Sequence, residues 1–143
     1  MKLYVIRHGN TDSNRLDIYN GKLLNEDINN IGIKQAQEAS KKIKNLNIDL
    51  IICSPLLRTR HTCDIINSNK IKVIYDDRIE ERNCGVLTNT KIDNFYYTEY
   101  WNYYSKVKID NLETVPELFK RVNLFLDEIK KKYRGQNILL VTH

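Results

Sequence analysis

The sequence predicts an α/β fold in which helices pack against a mainly parallel sheet. Short apolar runs of strand length alternate with longer segments that repeat apolar residues at helical spacing, over nearly all of the 143 residues. Apolar residues make up 41% of the chain and charged residues 29%, a balance typical of globular proteins. The length suits one domain spanning 1–143, and no repeat or linker interrupts it.

The first half of the chain contains two predicted strands and one predicted helix. Four apolar residues, Leu3 to Ile6, form a short strand that we expect to be buried. Residues 10–24 are polar and have no helical period, and so long a loop inside a compact domain is usually functional. A helix is predicted from about 31 to 46, and a second strand is predicted at 48–53.

Two capping signals mark the helices of the second half. Ser54 followed by Pro55 predicts an N-cap and a first-turn proline, so a helix should run from 55 to about 67. Thr114 with Glu117 has the form of a capping box and predicts a long helix that ends near Gly135. We expect the core face of this long helix to consist of regularly spaced apolar residues, namely Leu118, Val122, Phe125, Ile129 and Tyr133.

The remaining strands are predicted at 70–75 and 137–141, and the last one leads directly into Thr142 and His143. Residues 91–105, which lie between these strands, are rich in aromatic side chains and predict a short helical excursion or a lid. Strands that alternate with helices in this way favour parallel pairing, because the connecting helix carries the chain back to the same end of the sheet.

Composition argues against several classes of function. The net charge of +5 would steer anionic ligands such as phosphate esters, while no recognition motif or dense basic stripe favours nucleic acid. The apolar runs fall far short of the ~20 residues of a membrane span, and the start lacks a signal peptide, so we expect a cytoplasmic protein without a membrane partner. Cys53, Cys63 and Cys84 form no Cys-x-x-Cys pair, which favours buried thiols over disulfides or a metal site.

Charged and titratable side chains follow each of the four predicted strands. Because the carboxyl ends of parallel strands meet at one edge of a sheet, we expect these side chains to converge on one crevice. They are Arg7 and His8 after the first strand, Arg58 after the second, Glu81 after the third and His143 after the last. Each has an ordinary structural explanation when taken alone, and the repeated placement at strand ends is what favours a site.

Two arginines, two histidines and a carboxylate suit phosphoryl transfer. Guanidinium groups pair well with a dianionic phosphoryl group, because their paired N–H donors match its oxygens. A neutral imidazole is a nucleophile near pH 7, and a carboxylic acid can protonate the departing oxygen. The set therefore predicts chemistry on a phosphate ester.

The motif Arg7-His8-Gly9-x-Thr11 after an N-terminal strand resembles the signature of the histidine phosphatase superfamily, the phosphoglycerate mutase-like enzymes. The resemblance extends over nearly the full chain and implies a three-layer α/β/α fold of the phosphoglycerate mutase-like type. The further matching segments are the loop with Asn14 and Gly21, the stretch 24–36, Ser54-Pro55-Leu56-x-Arg58-Thr59-x-x-Thr62, the segment 79–85, Glu113-Thr114, Arg121-Val122 and Val141-Thr142-His143.

The resemblance implies a small phosphatase that hydrolyses phosphate monoesters without a metal or other cofactor. His8 is expected to be the nucleophile that forms a phosphohistidine, and Glu81 the general acid and base, with Glu80 as its nearest rival. Arg7, Arg58 and His143 are expected to complete the catalytic set by holding the phosphoryl oxygens. Substrate binding is expected from Arg7, Asn14, Gly21, Arg58 and His143, and the expected partner is a small phosphorylated substrate.

Relatives continue past their second histidine with a glycine and a closing helix, whereas this sequence stops at His143. We therefore expect a domain that is truncated at its C-terminus, with sheet surface left uncovered. The oligomeric state and the identity of the phosphate ester are not determined by the sequence.

Three other functions remain open. A phosphoglycerate-type mutase would use the same chemistry, but relatives of that type carry a longer insertion than the one between Gly85 and Glu113. A non-catalytic module that binds a phosphorylated ligand would fit if the chain naturally ends at His143. A nucleic-acid-binding protein is supported by the net charge alone.

Overall fold

Four parallel strands form one sheet, and the computed structural model describes all residues from 1 to 143. The strands are β1 (Lys2–Arg7), β2 (Leu50–Cys53), β3 (Val73–Tyr75) and β4 (Asn137–Thr142). Their order across the sheet is β1-β4-β2-β3, so the last strand of the sequence lies between the first and the second. The prediction of an α/β fold with a mainly parallel sheet is confirmed.

The helices are α1 (Asp12–Arg15), α2 (Asn30–Ile43), α3 (Leu57–Ile66) and α4 (Val115–Lys132). Short 3₁₀ turns at Asp77–Ile79 and Gly85–Leu87 and one π-helical turn at Tyr96–Tyr100 connect β3 to α4. The capping box of the long helix is confirmed, since the Thr114 hydroxyl accepts from the Glu117 amide while the Glu117 carboxylate accepts from the Thr114 amide. No helix is both long and apolar enough to cross a membrane.

The two faces of the sheet are buried by different helices, as the three-layer prediction requires. One face packs against α2 and α3, where Ala36 and Ile66 meet Ile51 and Leu139. The opposite face packs against α4, where Phe125 and Ile129 meet buried residues of β2 and β4. Neighbouring residues of β2 and β4 thus point to opposite layers, and their near-continuous apolar sequence follows from burial on both faces.

Three local predictions were wrong. The strand β1 is an edge strand, and it is not fully buried: the side chain of Val5 is 64% exposed. Ser54 does not cap α3, because the chain stays extended until Leu56 and the helix begins at Leu57. The loop predicted at 10–24 is also interrupted by α1, whose capping box pairs Thr11 with Asn14.

The strand order decides which strand ends are neighbours at the carboxyl edge. Arg7 of β1 pairs with Thr142 of β4. His8, which follows β1, therefore lies beside His143, which follows β4. Cys53 of β2 pairs with Val141 on the other side of β4, and the Ser54 amide donates to the Val141 carbonyl at 2.9 Å. The ends of β1, β4 and β2 therefore present His8, His143 and Ser54 side by side.

Candidate active site

The imidazoles of His8 and His143 form the centre of the site. Their ring centroids lie 5.1 Å apart with the planes tilted by 59°. His8 is only 6% exposed, and the parallel pairing of β1 with β4 places both rings at the same edge of the sheet. These two residues, 135 positions apart in the sequence, are brought together as predicted.

The hydrogen bonds of His8 leave one of its nitrogens available. Nδ1 lies 2.7 Å from the carbonyl oxygen of Gly9, and because a carbonyl only accepts, Nδ1 carries the hydrogen. The lone pair is then on Nε2, which is the nitrogen that a nucleophilic imidazole uses. Burial, assisted by the charges of Arg58 and Arg7 and opposed by the bond to Gly9, lowers the pKa of His8 to about 4. The imidazole is therefore neutral at pH 7.

Two contacts hold the loop that carries His8. The Gly9 amide donates to the hydroxyl of Thr62 on α3 at 3.0 Å, and that hydroxyl donates in turn to the Arg58 carbonyl. On the other side the first turn of α2 presses against the loop, where a Cβ on Gly32 would lie 2.4 Å from the Asn10 carbonyl oxygen. Only glycine permits this approach, so the position of the nucleophile is fixed by close backbone packing.

Arg58 is a fully buried cation beside this loop. Its Nη1 donates to the Leu24 carbonyl at 3.0 Å and its Nη2 to the Gly21 carbonyl at 2.9 Å, whereas its Nε is buried without a partner. Burial lowers the pKa of the Arg58 guanidinium, while the carboxylates of Glu81 and Glu26 favour its charged form. A buried guanidinium with one donor left unpaired is suited to bind an anion.

His143, like Arg58, has a buried nitrogen that lacks a hydrogen-bond partner. Its Nε2 lies 2.9 Å from the Ser54 hydroxyl, and its Nδ1 is buried with no partner in the chain. Burial, with the nearby charges of Arg58 and Arg7, lowers the pKa of His143 to about 2, so this ring is also neutral. Leaving a buried polar nitrogen without a hydrogen-bond partner costs about 1–3 kcal/mol. In the tautomer that carries its hydrogen on Nδ1, an arriving anion would complete the hydrogen bonding of the ring.

Two cavities open beside this centre, and Arg7 and Glu81 line both of them, whereas His8 and Arg58 line neither. The first cavity encloses about 350 Å³ and is also lined by Asn14 and Gly21, so all the candidate loop residues face the same space. The second encloses about 690 Å³, is lined by His143, and opens into an apolar groove between β1 and α4.

Glu81 and its rival Glu80 occupy different positions. Glu81 faces the cavity shared with Arg7, and its carboxylate accepts a hydrogen bond from the Arg82 amide at 2.9 Å. The Glu80 carboxylate lies 3.5 Å from the Lys22 ammonium, and Glu80 lines a separate polar cavity as well as the second cavity. Of the two carboxylates, Glu81 alone lines both cavities beside the histidines.

The aromatic segment forms one wall of the first cavity. Tyr96, Tyr100 and Trp101 line it, and Tyr100 is buried. The Arg82 guanidinium lies 4.2 Å from the Tyr100 ring centroid and also donates to the Tyr100 carbonyl. This buried arginine ties the aromatic wall to the segment that carries Glu81.

Sequence reasoning overlooked two supporting residues. Thr62 appeared only as part of a matching motif, and the structure shows that its hydroxyl holds the Gly9 amide. Ser54 was assigned to a helix cap, whereas its hydroxyl contacts His143. A serine or threonine hydroxyl offers no sequence signal that separates a local cap from a long-range contact.

Comparisons with known proteins agree with this geometry. The model of the histidine phosphatase superfamily (branch 1) matches residues 3–143. The chain is 29% identical over its whole length to phosphoserine phosphatase 1 of Hydrogenobacter thermophilus, covering 71% of that protein, and 32% identical to the probable phosphoglycerate mutase GpmB of Yersinia pestis, covering 69%. The alpha-ribazole phosphatase of Shigella flexneri superposes with a TM-score of 0.82 at 27% identity, over 100% of this chain and 74% of that one.

The matched region runs from the strand before His8 to His143 itself, so it contains both histidines of the site. The relatives include proteins named as phosphatases and as mutases, so the shared feature is the family and not one reaction. The chain belongs to branch 1 of the histidine phosphatase superfamily.

Proposed function

We propose that this protein is a phosphatase that hydrolyses small phosphate monoesters through a phosphohistidine on His8, without a metal ion. The observation that carries this proposal is the orientation of His8: the Nδ1–H bond to the Gly9 carbonyl leaves the Nε2 lone pair free, beside the two unpaired buried nitrogens of Arg58 and His143. A nucleophile next to a ready-made anion site is the arrangement that in-line phosphoryl transfer requires.

The proposed reaction has two steps. In the first, Nε2 of His8 attacks phosphorus, the bond from phosphorus to the ester oxygen breaks, and Glu81 in its acid form gives its proton to the departing oxygen. In the second, water attacks the phosphohistidine while Glu81 accepts a proton from it, and the P–N bond breaks to release inorganic phosphate. Arg7, Arg58 and His143 stabilise the charge on the phosphoryl oxygens in both steps.

The direct test is turnover of para-nitrophenyl phosphate in the presence of a chelator, together with trapping of labelled phosphoenzyme by an alkaline quench. We expect turnover that is unaffected by the chelator, and a phosphoenzyme that is acid-labile and base-stable as phosphohistidines are. Binding of inorganic phosphate without turnover would instead identify a non-catalytic phospholigand-binding module.

The mutase is the second candidate, because one relative carries that name at 32% identity. A mutase must hold the carboxylate of phosphoglycerate as well as its phosphate. Arg7 is the only cationic side chain that lines the first cavity, where it faces the carboxylates of Asp17 and Glu81. A cavity with this charge balance would repel a carboxylate on the substrate. It therefore favours hydrolysis of esters with a neutral or cationic leaving group over binding of phosphoglycerate. Conversion of 3-phosphoglycerate to 2-phosphoglycerate, primed by bisphosphoglycerate, would establish the mutase instead.

The lowered pKa of His8 predicts how activity depends on pH. Protonation of Nε2 removes the nucleophile, and burial lowers the pKa of this group from 6.5 to about 4. Activity that depends on neutral His8 should therefore be retained as the pH falls through 6.5 and be lost only near pH 4. The measurement is kcat/KM for para-nitrophenyl phosphate from pH 3.5 to 8, with far-UV circular dichroism at each pH to show that the fold persists. An acidic limb centred at pH 6.5 would contradict the prediction.

The role of Glu81 predicts a dependence on the leaving group. Glu81→Gln should lower kcat/KM about 10²- to 10⁴-fold for an alkyl phosphate, because an alkoxide needs a proton as it departs. For para-nitrophenyl phosphate, the rate of the first step, phosphorylation of His8, should fall much less, because its phenolate leaves without protonation. Glu80→Gln is the matched control, because its carboxylate pairs with Lys22, and it should show no such dependence. Equal losses with both substrates in Glu81→Gln would argue against a general acid.

A further inference from the structure

The contact between Ser54 and His143 crosses from β2 to β4 at the carboxyl edge of the sheet. The Ser54 hydroxyl oxygen lies 2.9 Å from Nε2 of His143, and the serine is fully buried. Its own amide donates to the Val141 carbonyl at 2.9 Å, so the pairing of the two strands holds it in place. The amide of Leu56 points at the same hydroxyl oxygen at 3.5 Å, as a second, longer donor.

Hydrogen-bond counting distinguishes the two neutral tautomers of His143. If Nδ1 carries the hydrogen, Ser54 donates to the Nε2 lone pair, and the Nδ1–H is the one group left unpaired. If Nε2 carries the hydrogen, it donates to Ser54, and both the serine hydrogen and the Nδ1 lone pair lack partners. The first tautomer leaves fewer buried polar groups unsatisfied, so it is the favoured one.

We propose that Ser54 is a positioning residue that holds His143 in its Nδ1–H tautomer, so that Nδ1–H donates to a phosphoryl oxygen of the bound ester. The tautomer follows from the protein's own contacts. The identity of the acceptor rests on the proposed phosphatase function.

The surroundings of His143 support this assignment. The ring is neutral at pH 7, because burial and the charges of Arg58 and Arg7 lower its pKa to about 2. It therefore carries one hydrogen, and the nitrogen that holds this hydrogen decides which side of the ring is the donor. The Nε of Arg58 is the other buried donor without a partner. His8, 5.1 Å away between ring centroids, is held with its hydrogen on Nδ1 by the Gly9 carbonyl. Both rings thus carry their hydrogen on Nδ1, but their roles are opposite. His8 offers a lone pair, and His143 offers a donor.

The test is a long-range ¹H–¹⁵N spectrum of protein labelled with ¹⁵N-histidine, recorded at pH 7 without ligand. The chain has only three histidines, so His8→Asn and His61→Asn variants assign every signal. We expect His143 of the wild type to show a protonated Nδ1 and an unprotonated Nε2. In Ser54→Ala, both tautomers should be populated, and the affinity for inorganic phosphate should fall about tenfold.

The matched control is Thr59→Val, which deletes another fully buried hydroxyl that donates to the carbonyls of Ser54 and Leu56 and makes no hydrogen bond to His143. It should leave the His143 tautomer unchanged. Three results would overturn the proposal: an Nε2–H tautomer in the wild type, an unaltered Nδ1–H tautomer in Ser54→Ala, or the same redistribution in Thr59→Val. A protein that shows the expected tautomers but does not turn over para-nitrophenyl phosphate would refute the phosphatase function and leave the role of Ser54 in setting the tautomer intact.

Discussion

Replacing His8 with asparagine should lower turnover of para-nitrophenyl phosphate by about 10⁴-fold or more and abolish the phosphoenzyme. The side-chain amide of asparagine can still donate to the Gly9 carbonyl, as Nδ1 of His8 does at 2.7 Å. The substitution thus keeps the local hydrogen bond and removes only Nε2. A loss of this size corresponds to about 5.5 kcal/mol of transition-state stabilisation. Initial rates and alkaline-quench trapping of the phosphoenzyme measure the two effects separately.

The same substitution at His61 is a suitable control. His61 lies on the outer side of α3, where its Nδ1 pairs with the Asp27 carboxylate at 2.9 Å. His61→Asn should leave both turnover and the phosphoenzyme intact. If His8→Asn retained a substantial phosphoenzyme, another residue would be the nucleophile, and the proposed mechanism would fail.

The layers of the fold could be predicted from local sequence signals. Apolar runs of strand length, the Thr114 capping box and the helical spacing of Phe125 and Ile129 are all properties of short segments, and each corresponds to an observed element. The grouping of candidate residues at one sheet edge followed from parallel pairing alone. Local patterns and one topological rule were therefore sufficient for the architecture and for the approximate position of the site.

The strand order could not be obtained in the same way. Insertion of β4 between β1 and β2 depends on contacts between residues more than 80 positions apart, and no local pattern encodes them. This order makes β1 an edge strand and places Ser54 beside His143. Val5 is exposed because it lies in the groove between β1 and α4, which no helix covers. The strand order and the extended 54–56 segment together explain why Ser54 contacts His143 and does not cap α3.

Replacing Arg58 with lysine should damage both the stability and the chemistry of the site. The guanidinium bridges the carbonyls of Leu24 and Gly21, at 3.0 and 2.9 Å, and a single ammonium cannot reproduce that fork. At least one buried carbonyl then lacks its donor, and the loop before α2 loses its link to α3. We expect the free energy of unfolding to fall by about 2–4 kcal/mol and kcat/KM by about 10²- to 10³-fold.

The two effects of Arg58→Lys can be measured separately. Urea denaturation gives the stability, and the thermal shift produced by vanadate or phosphate reports anion binding, because a ligand that binds only the folded state stabilises it by RT ln(1 + [L]/Kd). Arg60→Lys is the matched control, since Arg60 is exposed on the same helix with its guanidinium near the Tyr75 ring. It should change neither quantity. If Arg58→Lys loses stability but keeps the full ligand-induced shift, Arg58 supports the loop without binding the phosphoryl group. Loss of both the stability and the ligand-induced shift would indicate that Nε of Arg58 binds the anion, since that nitrogen is the donor that the loop carbonyls do not use.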